Sequence, residues 1–358
     1  MKVALIVVGN IWYAPYVRIY TKLLDELKVD YSIISWNRDG RDKPEGFQYD
    51  EKLAVVNGSA GLSAYMRYVR FVKKTVKREG FDRLIVFGPQ IACLLSLYLL
   101  KWKKRYVIDY RDLSIEQKSG FRQLFRFLLG RSYANVISSP GFKKALPKDI
   151  HYCLSHNFDI ATVRKALGNE NDKENEILKG KKADKRVVLT IGGIRDYSSN
   201  VEVIKGLANN PEYIVSFVGR GPAAEPLEKY CKENGIENVT FKGYYEKEEE
   251  AGYVKAASFM NIFYPRKLSH DTALSNRFYN SLIFRKPMIV TKDTTQGDYA
   301  EKYGVGVALE NTDGIAEKLD AFLQQDFAVY SKRCNALLGE FIHDYEEFES
   351  VIKQFVSA

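Results

Sequence analysis

Residues 271–291 read DTALSNRFYNSLIFRKPMIVT, and the fold follows from how that stretch divides. Ser275-Asn276 is a polar turn suited to capping a helix, because its side chains can satisfy first-turn N–H groups. The amphipathic residues after it read as that helix. A basic-Pro turn, Arg285-Lys286-Pro287, closes it, and the chain passes at once into PMIVT, a short apolar run that reads as a buried strand. A helix feeding directly into a buried strand is half of a βα unit.

The alternation continues in both directions. Downstream, helices are expected over 297–303 and 313–325, and the tail from Phe327 reads as helix throughout. Upstream, strands are expected over 187–191, 213–218, 238–241 and 258–263, with helices over 201–207, 223–234 and 247–256. Before them, residues 164–186 are dense in charge, Asn and Gly, which reads as an interdomain connection or an exposed loop. A second series precedes that break, with strands over 3–8, 31–35, 83–87, 105–109 and 135–138 and helices over 16–27, 62–78, 90–101 and 121–132. Strands alternating with helices give parallel sheets covered on both faces. The expected fold class is therefore α/β, with two Rossmann-like doubly wound domains facing across a cleft. The expected bounds are 1–160 and 161–341, with a final helix, 342–358, returning to the first domain.

Length and composition agree with this. A chain of 358 residues fits two domains of roughly 150 residues. Apolar residues at 46% and charged residues at 28% exclude a disordered or coiled-coil chain. Cys93, Cys153, Cys231 and Cys334 lie far apart with no C-x-x-C, which argues against a disulfide framework or structural zinc and fits a reducing cytosol. The first apolar run is too short for a signal peptide, and no run is long enough to span a bilayer.

Charge is uneven. Residues 1–160 carry 27 Lys/Arg against 15 Asp/Glu, a net +12, which leaves −3 for the remainder of a chain at +9. The basic half places aromatic and apolar residues among its cations, in MRYVRFVKKTVKR (66–78), QIACLLSLYLLKWKKR (90–105) and FRQLFRFLLGR (121–131). Ordinary helices with solvated basic faces explain this, and so does peripheral contact with an anionic membrane. Nucleic acid is not expected, because no helix-turn-helix, RNP-type or zinc-finger signature is present.

Ligands of open parallel sheets bind beyond the carboxyl ends of the strands. Gly9-Asn10 follows the first strand. Gly192-Gly193-Ile194-Arg195 follows the first strand of the second half, where backbone N–H groups and Arg195 suit a diphosphate. Gly219-Arg220-Gly221-Pro222-Ala223-Ala224 matches the dinucleotide fingerprint in form. It follows a second rather than a first strand and lacks the acidic residue about 20 positions on. A glycine turn with Pro222 opening a helix is the expected reading. Arg277 stands in a helix first turn against the helix dipole, a placement that makes sense if it grips a bound phosphate.

The order of these motifs resembles the GT-B fold glycosyltransferases of the family-4 type, close to those of bacterial capsule and O-antigen clusters. FVGRGP (217–222), NVTFKGYYEKEE (238–249) and a strand ending at Phe263-Tyr264-Pro265 follow the order of that family's donor-binding domain. LSNRFYNSLIFRKPMIV (274–290) resembles its donor segment, DYRDLS (109–114) and LSHNFD (154–159) its mid-domain and interdomain elements. The resemblance implies a retaining transfer from a nucleotide-diphosphate sugar, UDP-type favoured, with no separate cofactor. No D-x-D motif is clearly placed for metal, so the transfer is expected to be metal-independent, with Arg277, Arg195 and helix N-termini supplying the charge. The acceptor it implies is a glycan, or a sugar linked to a polyprenyl diphosphate at the inner face of the membrane. Arg277 takes the place of a phosphate-binding Lys or Arg, and Arg195 lies near another such contact. The backbone at Gly243-Tyr244 would face the nucleobase, and Ser275-Asn276 the phosphates. The family's paired glutamates fall at Thr272 and Asn280, so Asn280 is left to meet ribose hydroxyls and Asp271 to replace the first glutamate.

Such chemistry also needs a place for the acceptor proton. Asp109 and Asp112, flanking Arg111 at a strand end, are candidates for a base or an acceptor ligand; a helix-capping role is the alternative. His156 reads as structural, and His270 as a minor sugar contact. Three rival functions share parts of the pattern: a GT-B fold nucleotide-sugar 2-epimerase, a non-catalytic nucleotide-sugar-binding subunit, and a nicotinamide oxidoreductase resting on residues 219–224.

Overall fold

The computed structural model describes residues 1–11, 14–38, 53–57, 61–168 and 185–358. The chain divides into two compact units, Met1–Asn157 with His343–Ala358, and Phe158–Ile342.

The first unit is built on β1 (Lys2–Val7), β2 (Asp30–Asn37), β3 (Leu53–Asn57), β4 (Arg83–Phe87), β5 (Tyr106–Tyr110), β6 (Ala134–Ile137) and β7 (Cys153–Leu154). They form one parallel sheet in the order β3-β2-β1-β4-β5-β6-β7. The central strands are buried on both faces, so their sequences are near-continuous apolar runs. The second unit holds β8 (Arg186–Ile191), β9 (Tyr213–Val218), β10 (Val239–Lys242), β11 (Phe259–Ile262), β12 (Met288–Thr291) and β13 (Gly306–Leu309). Its parallel order is β10-β9-β8-β11-β12-β13. In each sheet the strand order reverses beside the first strand, at β1/β4 and at β8/β11. These are the topological switch points of doubly wound sheets, where ligands sit. The expected α/β class, with two doubly wound parallel sheets, is the one observed.

Three strands, β3, β7 and β13, are additions to the sequence reading. The helix expected over 90–101 is broken at Leu95 into Pro89–Leu94 and Ser96–Leu99. Most of the charged stretch 164–186 lies outside the described residues. The helix Ile160–Gly168 that leads into it belongs to the second unit, so the stretch does not connect the two.

A 31-residue helix, Phe327–Ser357, ends the chain. Its first half supplies Tyr330, Cys334, Leu337 and Phe341 to a core with Leu189, Met260 and Phe278. Its last part supplies Phe348, Ile352 and Phe355 to the core of the first unit, with Val3, Leu5 and Tyr20. There the buried His156 meets Asp344 at 2.9 Å, and burial holds the imidazole pKa below its ordinary value despite that carboxylate. All four cysteines are buried and free.

Candidate functional site

The second unit's switch point is organised by glycines. Gly192 has φ 94° as the chain leaves β8, a region open to glycine at no cost. Its N–H donates to the Val218 carbonyl at 2.9 Å, and Ile194 N–H donates to that of Arg220 at 3.1 Å. The two loops are therefore laced together. A Cβ on Gly219 would stand 2.1 Å from the Gly192 oxygen, and one on Gly221 2.2 Å from the Ile194 oxygen. These glycines are required by loop-to-loop packing. That packing accounts for the glycines at 219 and 221 without a dinucleotide, and Gly219 also lines the cavity beside Gly243. Pro222 precedes the following helix, Ala224–Glu233, rather than opening it.

Arg277 lies in the first turn of the helix Asn276–Ile283, only 8% exposed. Its Nε donates to the Ile191 carbonyl at 2.6 Å and its Nη2 to that of Gly193 at 2.9 Å. Nη1 lies 3.4 Å from both the Asn261 carbonyl and Tyr264 Oη. The guanidinium thus caps the exits of β8 and β11. Its partners among the described residues are all neutral, and none is a carboxylate. A buried cation held only by neutral oxygens is costly unless an anion shares the site.

Three residues along the same helix, Asn280 Nδ2 donates to Glu250 Oε1 at 2.8 Å. Glu250 heads the helix Glu250–Ala256. Its Oε2 accepts from Tyr245 Oη at 3.1 Å and from Lys247 Nζ at 2.7 Å. Burial opposes its charge, but the Lys247, Asn280 and Tyr245 bonds hold its carboxyl below the usual range. Burial and Glu250 together push Tyr245 up to about 12, so its phenol stays protonated. A Cβ on Gly192 would come 3.9 Å from that phenol oxygen, which puts the group beside the turn. Residue 280 is therefore an amide paired with a carboxylate from another element. Sequence reasoning missed Glu250; the only signal was a glutamate-rich run at 246–250 after Gly243.

The other candidates divide. Arg195 is exposed and lies along Gly193, its Nε 3.2 Å from where a Cβ there would be. Asn200, five residues beyond Arg195, has its Oδ1 buried against Asn261 Nδ2 at 3.1 Å. Ser275 caps the helix as expected, accepting from Phe278 N–H at 3.3 Å while its hydroxyl donates to Gln296 at 2.7 Å. Asn276 is exposed at the same turn. Gly243 lines a cavity of about 290 Å³ with Ile194, Phe217, Gly219 and Phe241. Tyr244 is 57% exposed beside it, its ring under Arg220 at 5.2 Å. Asp271 is ion-paired to Arg266 at 3.0 Å, and Thr272 is buried with its hydroxyl on the Leu268 carbonyl at 2.7 Å. His270 Nδ1 faces the Pro265 carbonyl at 3.1 Å.

In the first unit, Asp109 is fully buried at the end of β5. Its Oδ1 accepts from Arg111 Nε at 2.6 Å, and its Oδ2 from Arg111 Nη2 at 2.7 Å and Tyr20 Oη at 2.5 Å. Arg111 goes on to the Ser155 carbonyl at 2.7 Å. Neither Asp109 oxygen is open to an acceptor hydroxyl, so the expected base at 109 is corrected to a buried anchor tying β5 to residue 155. Burial, then Asp109, pushes the nearby Tyr16 up to about 12. Asp112 is exposed on the loop beyond. Gly9 accepts from Trp36 N–H at 3.2 Å, and a Cβ there would meet open space.

Two doubly wound units at these switch points define the GT-B fold class, and solved structures share it over the whole chain. HepE of Anabaena, solved in complex with UDP, superposes with a TM-score of 0.69 at 14% identity, covering 99% of this chain and 100% of that one. The lipopolysaccharide outer core galactosyltransferase WaaB gives 0.68 at 16% identity, covering 99% of each. The UDP-N-acetylglucosamine 2-epimerase of Rickettsia bellii gives 0.57 at 10% identity, covering 99% of this chain and 98% of that one. No protein-family model and no curated protein sequence matches the chain. At these identities the likeness is one of fold, and in fold the chain resembles GT-B glycosyltransferases, as its motifs do.

Proposed function

We propose that the protein is a glycosyltransferase. It moves a sugar, with retention and without metal, from a nucleoside-diphosphate sugar of UDP type to a glycan or lipid-linked acceptor in surface-polysaccharide synthesis. The observation that carries this is the buried guanidinium of Arg277 at the Gly192-Gly193 turn, with no carboxylate partner among the described residues. A diphosphate there meets a fixed cation, the exposed Arg195 and the N-terminus of the helix Asn276–Ile283, all in place before charge develops on the leaving phosphate. The cavity beside Gly243 and Tyr244 takes the base. Glu250 and Asn280 face the ribose hydroxyls. Asp271 orients the sugar from its pair with Arg266. Acceptor binding falls to the first unit, with Asp112 or the departing phosphate receiving the acceptor proton. Because Glu250 brings a carboxylate to Asn280, the non-catalytic reading loses the argument that position 280 lacks charge.

The test is calorimetry with UDP, GDP, dTDP, CMP and NAD. Selective binding of one nucleoside diphosphate is expected; binding of NAD alone, or of none, ends the proposal. Incubating the matching nucleotide sugar without acceptor separates the epimerase, which would return an isomerised sugar.

The proposal includes peripheral contact with an anionic membrane at the inner face of a cell membrane. No helix among the described residues is long and apolar enough to cross one. Leu97, Phe121 and Phe127 are 77%, 40% and 49% exposed on segments that also carry Lys101, Lys103, Arg122 and Arg126. Apolar side chains set among cations suit the headgroup layer. The helix Leu62–Glu79 argues less, since Tyr68, Val69, Val72 and Val76 are buried and its cations are ordinary surface. Flotation with anionic vesicles at low salt should carry the protein upward; protein left in the soluble fraction removes this part.

A further inference from the structure

The first unit has its own switch point, and among the described residues the side chains there are short of acceptors. The exits of β1 and β2 are stitched together. Asn10 Nδ2 donates to Asn37 Oδ1 at 2.7 Å, and Arg38 N–H donates to Asn10 Oδ1 at 2.9 Å. This fixes Arg38 above the sheet end. Its guanidinium lies 4.3 Å over the Trp36 ring and 5.2 Å over that of Tyr65. Arg38 Nη2 donates to Tyr65 Oη at 3.0 Å. Gln90, just past the exit of β4, donates to the same oxygen at 2.8 Å.

A phenol oxygen has two lone pairs and one proton. Both lone pairs of Tyr65 are taken, so its proton must go elsewhere, and no acceptor for it is found among the described residues. Arg38 Nε is buried and likewise has no partner among them. One buried donor, a half-buried phenol proton and an arginine charge therefore converge near the exits of β1, β2 and β4, and no carboxylate meets them among the described residues. Buried donors are satisfied in nearly all folded proteins, so the cluster asks for an acceptor-rich group from outside. A phosphate or a carboxylate has that chemistry; a neutral hydroxyl does not supply the charge.

We propose that Arg38, Tyr65 and Gln90 form a second binding site, for the anionic group of an acidic or phosphorylated carbohydrate. That the anion rides on a carbohydrate rests on the function proposed above; the anion itself does not. The test titrates the full chain, saturated with UDP, with glucose 1-phosphate, glucuronate and glucose. UDP occupies any phosphate site in the other unit. One or both anionic sugars should bind at least tenfold more tightly than glucose, and which one does tells phosphate from carboxylate. Tyr65→Phe keeps the ring against Trp36 and loses only the hydroxyl. It should weaken the anion about tenfold, the scale of one hydrogen bond to a charged group, and leave UDP affinity unchanged. Arg38→Gln should weaken it further. Equal binding of all three sugars, binding of neither anion, or two variants that bind the anion as wild type does would each overturn the site. Loss of UDP binding with the anion retained would instead end the function proposed above and leave this site standing.

Discussion

Replacing Arg277 with Met keeps a long apolar stem and removes every donor. Two effects follow, and they are separable. The Ile191 oxygen is buried and loses a 2.6 Å bond; the Gly193 oxygen, on an exposed residue, loses one of 2.9 Å. An unsatisfied buried acceptor costs about 1–3 kcal/mol, and water can partly replace the donor at Gly193, so the loss should total about 2–4 kcal/mol. Relief from desolvating the guanidinium offsets some of this. For a unit this size the melting point should fall by about 5–15 °C. The three tryptophans (Trp12, Trp36, Trp102) all lie before residue 158, so circular dichroism, not tryptophan fluorescence, must follow the second unit. The second effect is on ligand. A charged bond to phosphate contributes about 1.5–3 kcal/mol, which weakens UDP roughly 10- to 100-fold by calorimetry. A variant that melts early yet binds UDP within threefold of wild type would refute the phosphate role and leave Arg277 as a cap on strand ends. Weakened UDP with an unchanged melting point would refute the cap.

Gly219→Ala should destabilise by about 2–6 kcal/mol and abolish UDP binding, since strain at positive φ and overpacking against Gly192 add. Gly243→Ala, with open space around its Cβ, should melt like wild type; equal melting points for both variants would sink the packing argument. Glu250→Gln should erase a preference for UDP over its 2′-deoxy analogue; an unaltered ratio would show that the carboxylate does not face ribose. His156 is held neutral by burial, below its ordinary 6.5, so unfolding lets it take up a proton in acid. Its contribution is complete above about pH 6.5 and is lost as pH falls from there toward its folded value. His156→Gln should flatten that part of a stability–pH curve, and a curve that keeps its slope would rule the group out.

The sheets were legible because central parallel strands are apolar on both faces, and five of the seven strands of the first sheet announce themselves that way. Two of the three missed strands lack that signal, whereas Leu53–Asn57 (LAVVN) carries it and was passed over. Cys153–Leu154 is only two residues long, and Gly306–Leu309 opens on a glycine. That glycine is there because a Cβ would stand 2.3 Å from the Met288 side chain. Arg277 stood out in the sequence because a cation against a helix dipole needs a reason, but its bonds to the β8 exit could not be read there. Asp109 was misread because burial is a tertiary fact: nothing in the segment 109–114 tells that Tyr20, far back in the chain, closes on its carboxylate. Glu250 was invisible to a spacing argument for the same reason. The motif counts positions along one helix, whereas the carboxylate arrives at Asn280 from another.

The last helix has a consequence for how the protein is made. Phe348, Ile352 and Phe355 complete the core around Val3, Leu5 and Tyr20, yet they leave the ribosome a whole unit after Asn157. The first unit to be synthesised is therefore the last to close. Until then its apolar underside is a natural client for a chaperone. A nonsense codon before His343 would free a well-formed second unit attached to an unfinished first one, a product open to proteolysis however intact its Arg277 site.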